Sequence, residues 1–353
     1  VTETATGPLR IGLFDIMQVD PLGDGDVAAM YANRLDDLVF AEEAGFEAAF
    51  VAERHFLPQF AAASATAWIA AASQRTSWMR LGALGYTLPI KAPVQLAEDI
   101  ATLDLLTNGR LEVGFGTGHR VEELIALGQD PVLRNTVFQE RYAVLRGLLS
   151  GGQATYERGE VRVHQVVIAP LPKQVPHPPL WFAGTDPTAA RWIATNGLGL
   201  AIGFKPMAEL EPAVAAFREG LAESPDADIH RPLGHLALMR SVIVGDTDDV
   251  VRREIIDDLL RLGELAGQGT EANRPDRHRD ANNQVDTMIA SEIMIAGSVE
   301  TVAAGIRRQR NRLGFDTFLA SVYAMGASQE RVRRSMRLLA GPVRQCMAEQ
   351  AAG

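Results

Sequence analysis

Phe46-Glu47-Ala48-Ala49-Phe50-Val51-Ala52-Glu53-Arg54-His55-Phe56 is an apolar run that stops abruptly on three polar, chemically capable side chains. Arg110-Leu111-Glu112-Val113-Gly114-Phe115-Gly116-Thr117-Gly118-His119 repeats the pattern and ends in a glycine-rich turn. Short apolar runs of this kind read as strands covered on both faces, as in a parallel sheet. In parallel α/β folds, ligand sites are assembled at the carboxyl ends of the strands. Two strands that bring Glu53, Arg54, His55 and Gly116-Thr117-Gly118 to one edge therefore point to a cofactor pocket, not to core alone.

Working outward from these two runs, six more strand candidates emerge. They are Ile11–Phe14, Leu81–Leu88, Leu180–Ala183, Gly199–Ile202, Leu236–Val244 and Phe315–Val322. Helical periodicity follows each of the first seven. Examples are Ala28–Ala44 stopped by Gly45, an Ala-rich helix Ser64–Trp78, and a helix from Pro93 with Leu96, Ile100 and Leu103 in register before Asn108-Gly109. Val332, Met336, Leu339 and Val343 mark a closing helix, with Gly341-Pro342 as its end or kink. Eight strands alternating with helices fit an α/β fold of the (β/α)8 TIM barrel type with insertions; a doubly wound open sheet is the alternative. One insertion is 151–178. It holds an alternating hairpin around Arg158-Gly159 and then a proline-rich connector. Gly263 to Asp286 is polar with almost no apolar periodicity, so 263–290 reads as a long loop.

The chain has 353 residues, 47% hydrophobic and 22% charged, with a formal net charge of −10. That composition is ordinary for a globular protein. The acidic balance argues against nucleic acid or an anionic membrane as partner. A single cysteine, Cys346, excludes an internal disulfide or a thiolate metal cluster. No apolar stretch approaches the ~18 residues of a membrane span, and residues 1–8 carry no signal-peptide pattern, so a cytoplasmic location is expected. His55, His119, His164 and His177 show no metal-ligand spacing, and no metal is expected.

Four ordered segments resemble the luciferase-like flavin monooxygenase family. They are Ala41-Glu42-Glu43-Ala44-Gly45-Phe46 running into Glu53-Arg54-His55-Phe56; Leu81-Gly82 with Pro93-Val94-Gln95-Leu96-Ala97-Glu98-Asp99; Leu103-Asp104-Leu105-Leu106-Thr107-Asn108-Gly109-Arg110 into Gly114-Phe115-Gly116-Thr117-Gly118; and Pro178-Pro179-Leu180-Trp181-Phe182-Ala183-Gly184. The resemblance spans most of the chain and implies one barrel domain over 1–353. It implies a monooxygenase that takes reduced FMN from a separate flavin reductase, and O2, to oxygenate a small, mostly apolar organic substrate. A second branch of the family implies the deazaflavin F420 and hydride transfer, and a third reading is a non-catalytic flavin-binding relative. The resemblance also implies a homodimer built through the second and third helices, and a mobile active-site loop at 263–290 in which Arg274, Arg277 and Arg279 can close over an anion.

The same resemblance assigns roles. Glu53-Arg54-His55-Phe56 stands where luciferases carry Glu-His-His-Phe, so Arg54 replaces a histidine associated with proton handling. Arginine cannot act as a base at working pH, but it can hold an oxyanion, a substrate carboxylate or a flavin peroxide. His55 is then the local candidate base. The bland alternative is a Glu53–Arg54 pair that locks the strand end. Leu84, Gly85, Gly116, Thr117 and Gly118 fall where the backbone approaches the flavin. Leu84-Gly85 is also where relatives sometimes carry a non-proline cis peptide. Thr117 offers a hydroxyl where some relatives have a phosphate-binding arginine. Gly184, Thr185 and Thr188, at a strand end before Pro187, form the expected phosphate turn; simple N-capping by Thr185 or Asp186 is the alternative. His119, Arg120 and Glu123 lie either at the pocket mouth or on a solvated helix start.

Overall fold

The computed structural model describes residues 7–20, 26–158, 161–224, 231–265, 274–324 and 326–349. The first half runs β1 (Arg10–Asp15), α1 (Val27–Ala44), β2 (Ala48–Val51), α2 (Ala65–Ser73), β3 (Arg80–Thr87), α3 (Pro93–Leu106), β4 (Leu111–Gly116), α4 (Val121–Ala126) and α5 (Arg134–Leu149). A hairpin of β5 (Ala154–Arg158) and β6 (Val161–Val166) follows. Then come β7 (Leu180–Ala183), α6 (Pro187–Thr195), β8 (Gly199–Gly203), α7 (Met207–Ala222) and β9 (Leu236–Val244). The chain ends with α8 (Asp248–Leu265), α9 (Arg274–Ala290), β10 (Met294–Gly297), α10 (Val299–Leu313), β11 (Thr317–Ser321), α11 (Gln329–Leu338) and α12 (Arg344–Glu349).

Eight strands close into a parallel barrel in the order β1-β2-β3-β4-β7-β8-β9-β11, and β11 returns to β1. The (β/α)8 expectation holds, and the open-sheet alternative does not. Local chemistry sets the elements. Asp26 caps α1 by accepting from the Ala29 amide at 2.9 Å, and Gly45, at φ 101°, ends it. All four residues of β2 are buried because helices cover one face and the barrel interior the other.

Small residues let large ones fill the interior. Phe14, Phe50, Leu84, Trp181, Met239 and Leu319 pack there among Ala48, Ala52, Ala201 and Ala237. A Cβ on Gly82 would lie 2.6 Å from the Phe50 ring, so the glycine makes room for that phenylalanine. Phe50 meets Trp181 edge to face at 6.4 Å.

The floor of the barrel is polar and fully paired. Trp181 Nε1 donates to Glu112 Oε2 at 2.5 Å, and Arg80 pairs with the other oxygen of that carboxylate. Arg80 also donates to the Leu111 carbonyl and to Gln174 Oε1. Gln174, on the proline-rich connector, is tied in turn to Asp104 at 2.7 and 2.8 Å. Burial pushes the Glu112 carboxyl up, and Arg80 and the indole N–H only partly offset this.

Three expectations need correction. The Ala-rich helix stops at Ser73, not Trp78, because the Glu42 carboxylate captures the Ser77, Trp78 and Met79 amides at 2.7–2.9 Å. The 263–290 segment is not one long loop. α8 runs on to Leu265 and α9 fills 274–290, while residues 266–273 lie outside the described residues. A sparse stripe of Ala281, Val285 and Met288 holds α9 against Val251, Ile255 and Ile256. A ninth strand also exists: β10 pairs with Ser241–Val244, the far half of β9, outside the eight-strand closure.

Candidate active site at the barrel mouth

The carboxyl ends of β1 to β4, β7 and β8 form an open mouth. Beneath it the backbones of β3 and β4 touch: a Cβ on Gly85 would sit 2.6 Å from the Gly114 carbonyl, and one on Gly114 would sit 2.5 Å from the Ala83 oxygen. The Leu84–Gly85 peptide bond is cis. Above this contact, a Cβ on Gly116 would meet nothing within 4 Å, so glycine opens a space at the end of β4. Met17, Phe56 and Phe204 hold positive φ angles of 51°, 57° and 54° at the ends of β1, β2 and β8. Such angles are unfavourable for bulky side chains and gather where a site dictates the backbone. Phe204 and Phe14 pack at 5.8 Å and give the mouth an apolar wall.

At the end of β2, Glu53 is buried and shared. Lys91 Nζ approaches its Oε1 at 2.8 Å, and His55 Nε2 stands 3.3 Å from the same oxygen. Burial pushes this carboxyl up. The His55 hydrogen bond, with the charge and hydrogen bond of Lys91, outweighs that and holds it below the ordinary range. The triad is a fixed anion flanked by a cation and an imidazole, an arrangement that can orient His55 and hold a proton between His55 and an incoming group.

Arg54 turns elsewhere, toward the β4–α4 loop. Desolvation draws its pKa down, Glu123 opposes this and Arg120 adds to it. His119 is lowered by desolvation and then by Arg54, Arg120 and Arg134. Farther round, Thr117, Asn135, Phe138, Gln139, Phe182, Asp186, Thr188 and Trp192 line a cavity of about 190 Å3. Asp186 spends its carboxylate on the α6 N-terminus, accepting from the Ala189 amide at 2.8 Å.

The family model for luciferase-like monooxygenases matches residues 10–317. The chain belongs to the luciferase-like monooxygenase family. The oxygenase component of a flavin-dependent trigonelline monooxygenase from Acinetobacter baylyi is 27% identical over 62% of this chain and 61% of its own length. An F420-dependent glucose-6-phosphate dehydrogenase from Intrasporangium calvum is 30% identical over 54% of this chain and 60% of its own. In fold, the FMN-bound oxygenating constituent of 3,6-diketocamphane monooxygenase from Pseudomonas putida superposes with a TM-score of 0.77. It covers 96% of this chain and 99% of its own at 15% identity.

In this luciferase-like barrel the expected site residues divide into groups. Glu53 and His55 come together, joined by Lys91, which the sequence reading missed. Lys91 follows a short 3-10 turn, Leu88–Ile90, and lies 38 positions from Glu53, so only the closure of β2 on β3 brings them into contact. The Glu53–Arg54 pair does not form, because Lys91 and His55 occupy that carboxylate. Leu84 and Gly85 lie against Gly114 at the β3–β4 contact, Gly116 is open at the end of β4, and Gly118 needs its glycine at φ +77°. Thr117 and Thr188 face one cavity. Gly184 and the half-buried Thr185 stand at the β7 end, where a Cβ on Gly184 would strike the Phe182 ring at 2.4 Å. The capping alternative at this turn is realised by Asp186.

Arg277 and Arg279 do not stand free over the mouth. Arg277 pairs with Glu264 and donates to the Leu260 carbonyl, and Arg279 pairs with Asp276. Arg274 opens α9. Among the described residues no group of three or more His, Cys, Asp or Glu side chains is placed to hold a metal ion, and no helix is long and apolar enough to cross a membrane.

Proposed function

We propose that the protein is the oxygenase of a two-component flavin-dependent monooxygenase, receiving reduced FMN from a separate reductase and acting on a small organic molecule. The observation that carries this reading is the open space over Gly116 beside the Leu84–Gly85 and Gly114 backbone contact, at the same barrel mouth as the joined Glu53, His55 and Lys91. A flat ring fits the glycine-lined backbone of β3 and β4, and the Thr117–Thr188 cavity suits the polar end of such a cofactor. Bound there, reduced flavin would supply the electrons that activate O2. Leu84, Gly85, Gly116 and Gly118 would shape the ring seat, and Gly184, Thr185, Thr188 and Thr117 the phosphate end. Phe14 and Phe204 exclude water from the seat. His55, oriented by Glu53, holds or delivers the proton, and Arg54 stabilises negative charge.

The F420-dependent relative keeps hydride transfer as the rival chemistry on the same barrel. Anaerobic titration with FMNH2 and with reduced F420, followed by admission of air, separates the two. Preference for FMNH2 and oxygen uptake with an oxygenated product supports the monooxygenase. Preference for F420 without oxygen uptake replaces it with hydride transfer. Binding of neither overturns both readings. Homodimerisation through α2 and α3 belongs to the same proposal, supported by Trp78, Leu105 and Leu106, which lie about half exposed on that side.

A further inference from the structure

Three arginines come together around His119 on the β2–β4 side of the mouth. Arg54 leaves the end of β2, Arg120 precedes α4, and Arg134 is the first residue of α5, whose first turn contains no acid. A cation at the positive end of a helix is unfavourable unless something negative joins it. Among the described residues none of the three guanidinium groups makes a side-chain hydrogen bond or an ion pair, and Arg120 Nη1 is buried without a partner there. Other arginines with a buried nitrogen are satisfied in other ways. Arg141 donates to the Pro89 and Lys91 carbonyls, Arg231 donates to the Leu180 carbonyl, and Arg334 pairs with Glu254. The acid near Arg54 is Glu123, which is buried and faces Thr87 Oγ1 at 3.5 Å. Arg54 thus has Glu123 and the Arg120 guanidinium as charged neighbours, and His119 lies among the three arginines. An unpaired guanidinium fork at a desolvated mouth matches a planar bidentate anion.

We propose that Arg54, Arg120 and Arg134 form a receptor for the carboxylate of an organic acid, so that the substrate is an anion and not an uncharged apolar molecule. This rests on the monooxygenase reading for the word substrate, though not for the receptor itself. The body attached to the carboxylate is apolar, since Phe56, two residues beyond Arg54, is 64% exposed and Phe14 and Phe204 wall the mouth. Arg134 adjoins Asn135 of the Thr117–Thr188 cavity, whereas Arg54 stands apart from that phosphate end. β3 and β4 intervene between Arg54 on β2 and the α6 turn after β7.

His119 reports on the cluster directly. Its ring signals are followed by NMR while benzoate, or benzamide as the uncharged control, is added with and without saturating FMN. Benzoate is expected to shift the His119 signals and raise its pKa, because a bound anion cancels the cationic charge that lowers it; benzamide is expected to do neither. Arg54→Gln and Arg120→Gln should each weaken benzoate about tenfold or more while FMN affinity stays unchanged. Arg120→Lys should restore part of the affinity, and melting curves of all variants confirm that they fold. His119 signals blind to benzoate overturn the proposal. So does competition between FMN and benzoate, or equal loss of both in the glutamine variants, since either assigns the cluster to the cofactor phosphate. Benzoate binding in a protein that binds no flavin supports the receptor and removes the monooxygenase reading alone.

Discussion

The two ends of this barrel treat charge in opposite ways. At the floor, Arg80, Glu112, Trp181, Gln174 and Asp104 form a chain in which each charged group has a partner. At the mouth, Arg54, Arg120 and Arg134 stand together without ion pairs among the described residues. Both ends are built from residues at strand termini, so the fold itself does not force the difference. A satisfied buried network holds a structure together, whereas unsatisfied donors raise the free energy of the unliganded state and are worth keeping only where a ligand completes them. In a TIM barrel the first arrangement belongs to stability and the second to binding.

The contrast can be broken by mutation, and the largest effect belongs to the floor. Trp181→Ala removes the ring that packs on Phe50 and strips Glu112 of a donor, so a loss of about 3–5 kcal/mol in urea unfolding is expected. A cost below about 1 kcal/mol would show that the floor can collapse around the gap. Arg80→Met comes next, at about 3 kcal/mol near neutral pH, because it leaves Glu112 buried and unpaired. The Glu112 pKa is already raised, so the folded state binds more protons than the unfolded state above about pH 4.5, and stability falls as pH rises through the folded pKa. Removing Arg80 raises that pKa further. The deficit of the variant should therefore shrink on acidification toward pH 4.5, and a deficit independent of pH would assign the loss to packing.

Glu53→Gln tests the mouth at a place where charge is paired. A cost of about 2 kcal/mol is expected from weakening the charge-assisted bonds to Lys91 and His55. Here the folded pKa is lowered, so the contribution is complete above about pH 4.5 and fades as pH falls through the folded value. Unfolding curves of wild type and variant should converge in acid; parallel curves would remove the ion pair from the account. The smallest effect is at the arginine cluster. Arg120→Gln should change stability by no more than about 0.5 kcal/mol, with the sign toward stabilisation as like-charge repulsion is relieved. A loss above about 2 kcal/mol would mean that Arg120 is a structural residue after all, and the two ends would no longer differ.

Much of the barrel was legible because its strands are short apolar runs with abrupt polar ends, as in Ala48–Val51 leading to Glu53 and Leu111–Gly116 leading to Thr117. The hidden parts share a physical reason. β10 is four residues between Glu292 and Ser298, too short to show a period, and α9 carries only Ala281, Val285 and Met288 on its packed face among charged and amide side chains. At the site, Glu53 and His55 were readable as neighbours in sequence, but their third partner, Lys91, depends on strand pairing. The basic cluster is gathered from positions 54, 119, 120 and 134 of a chain whose net charge is −10, so composition points the opposite way from the local field.

One consequence follows from the way β9 is shared. A closed barrel has no free edge, yet the last four residues of β9 carry β10 on the outside of the ring, and the outer side of β10 pairs with no strand among the described residues. The main sheet thus regains a border on this side, only four residues long and ended by Gly297 at φ +148°. In hydrogen exchange the outward amides of Met294–Gly297 should be the first of the main sheet to take up deuterium. Within the nine-stranded main sheet, strand-by-strand growth onto a second molecule has only this four-residue template.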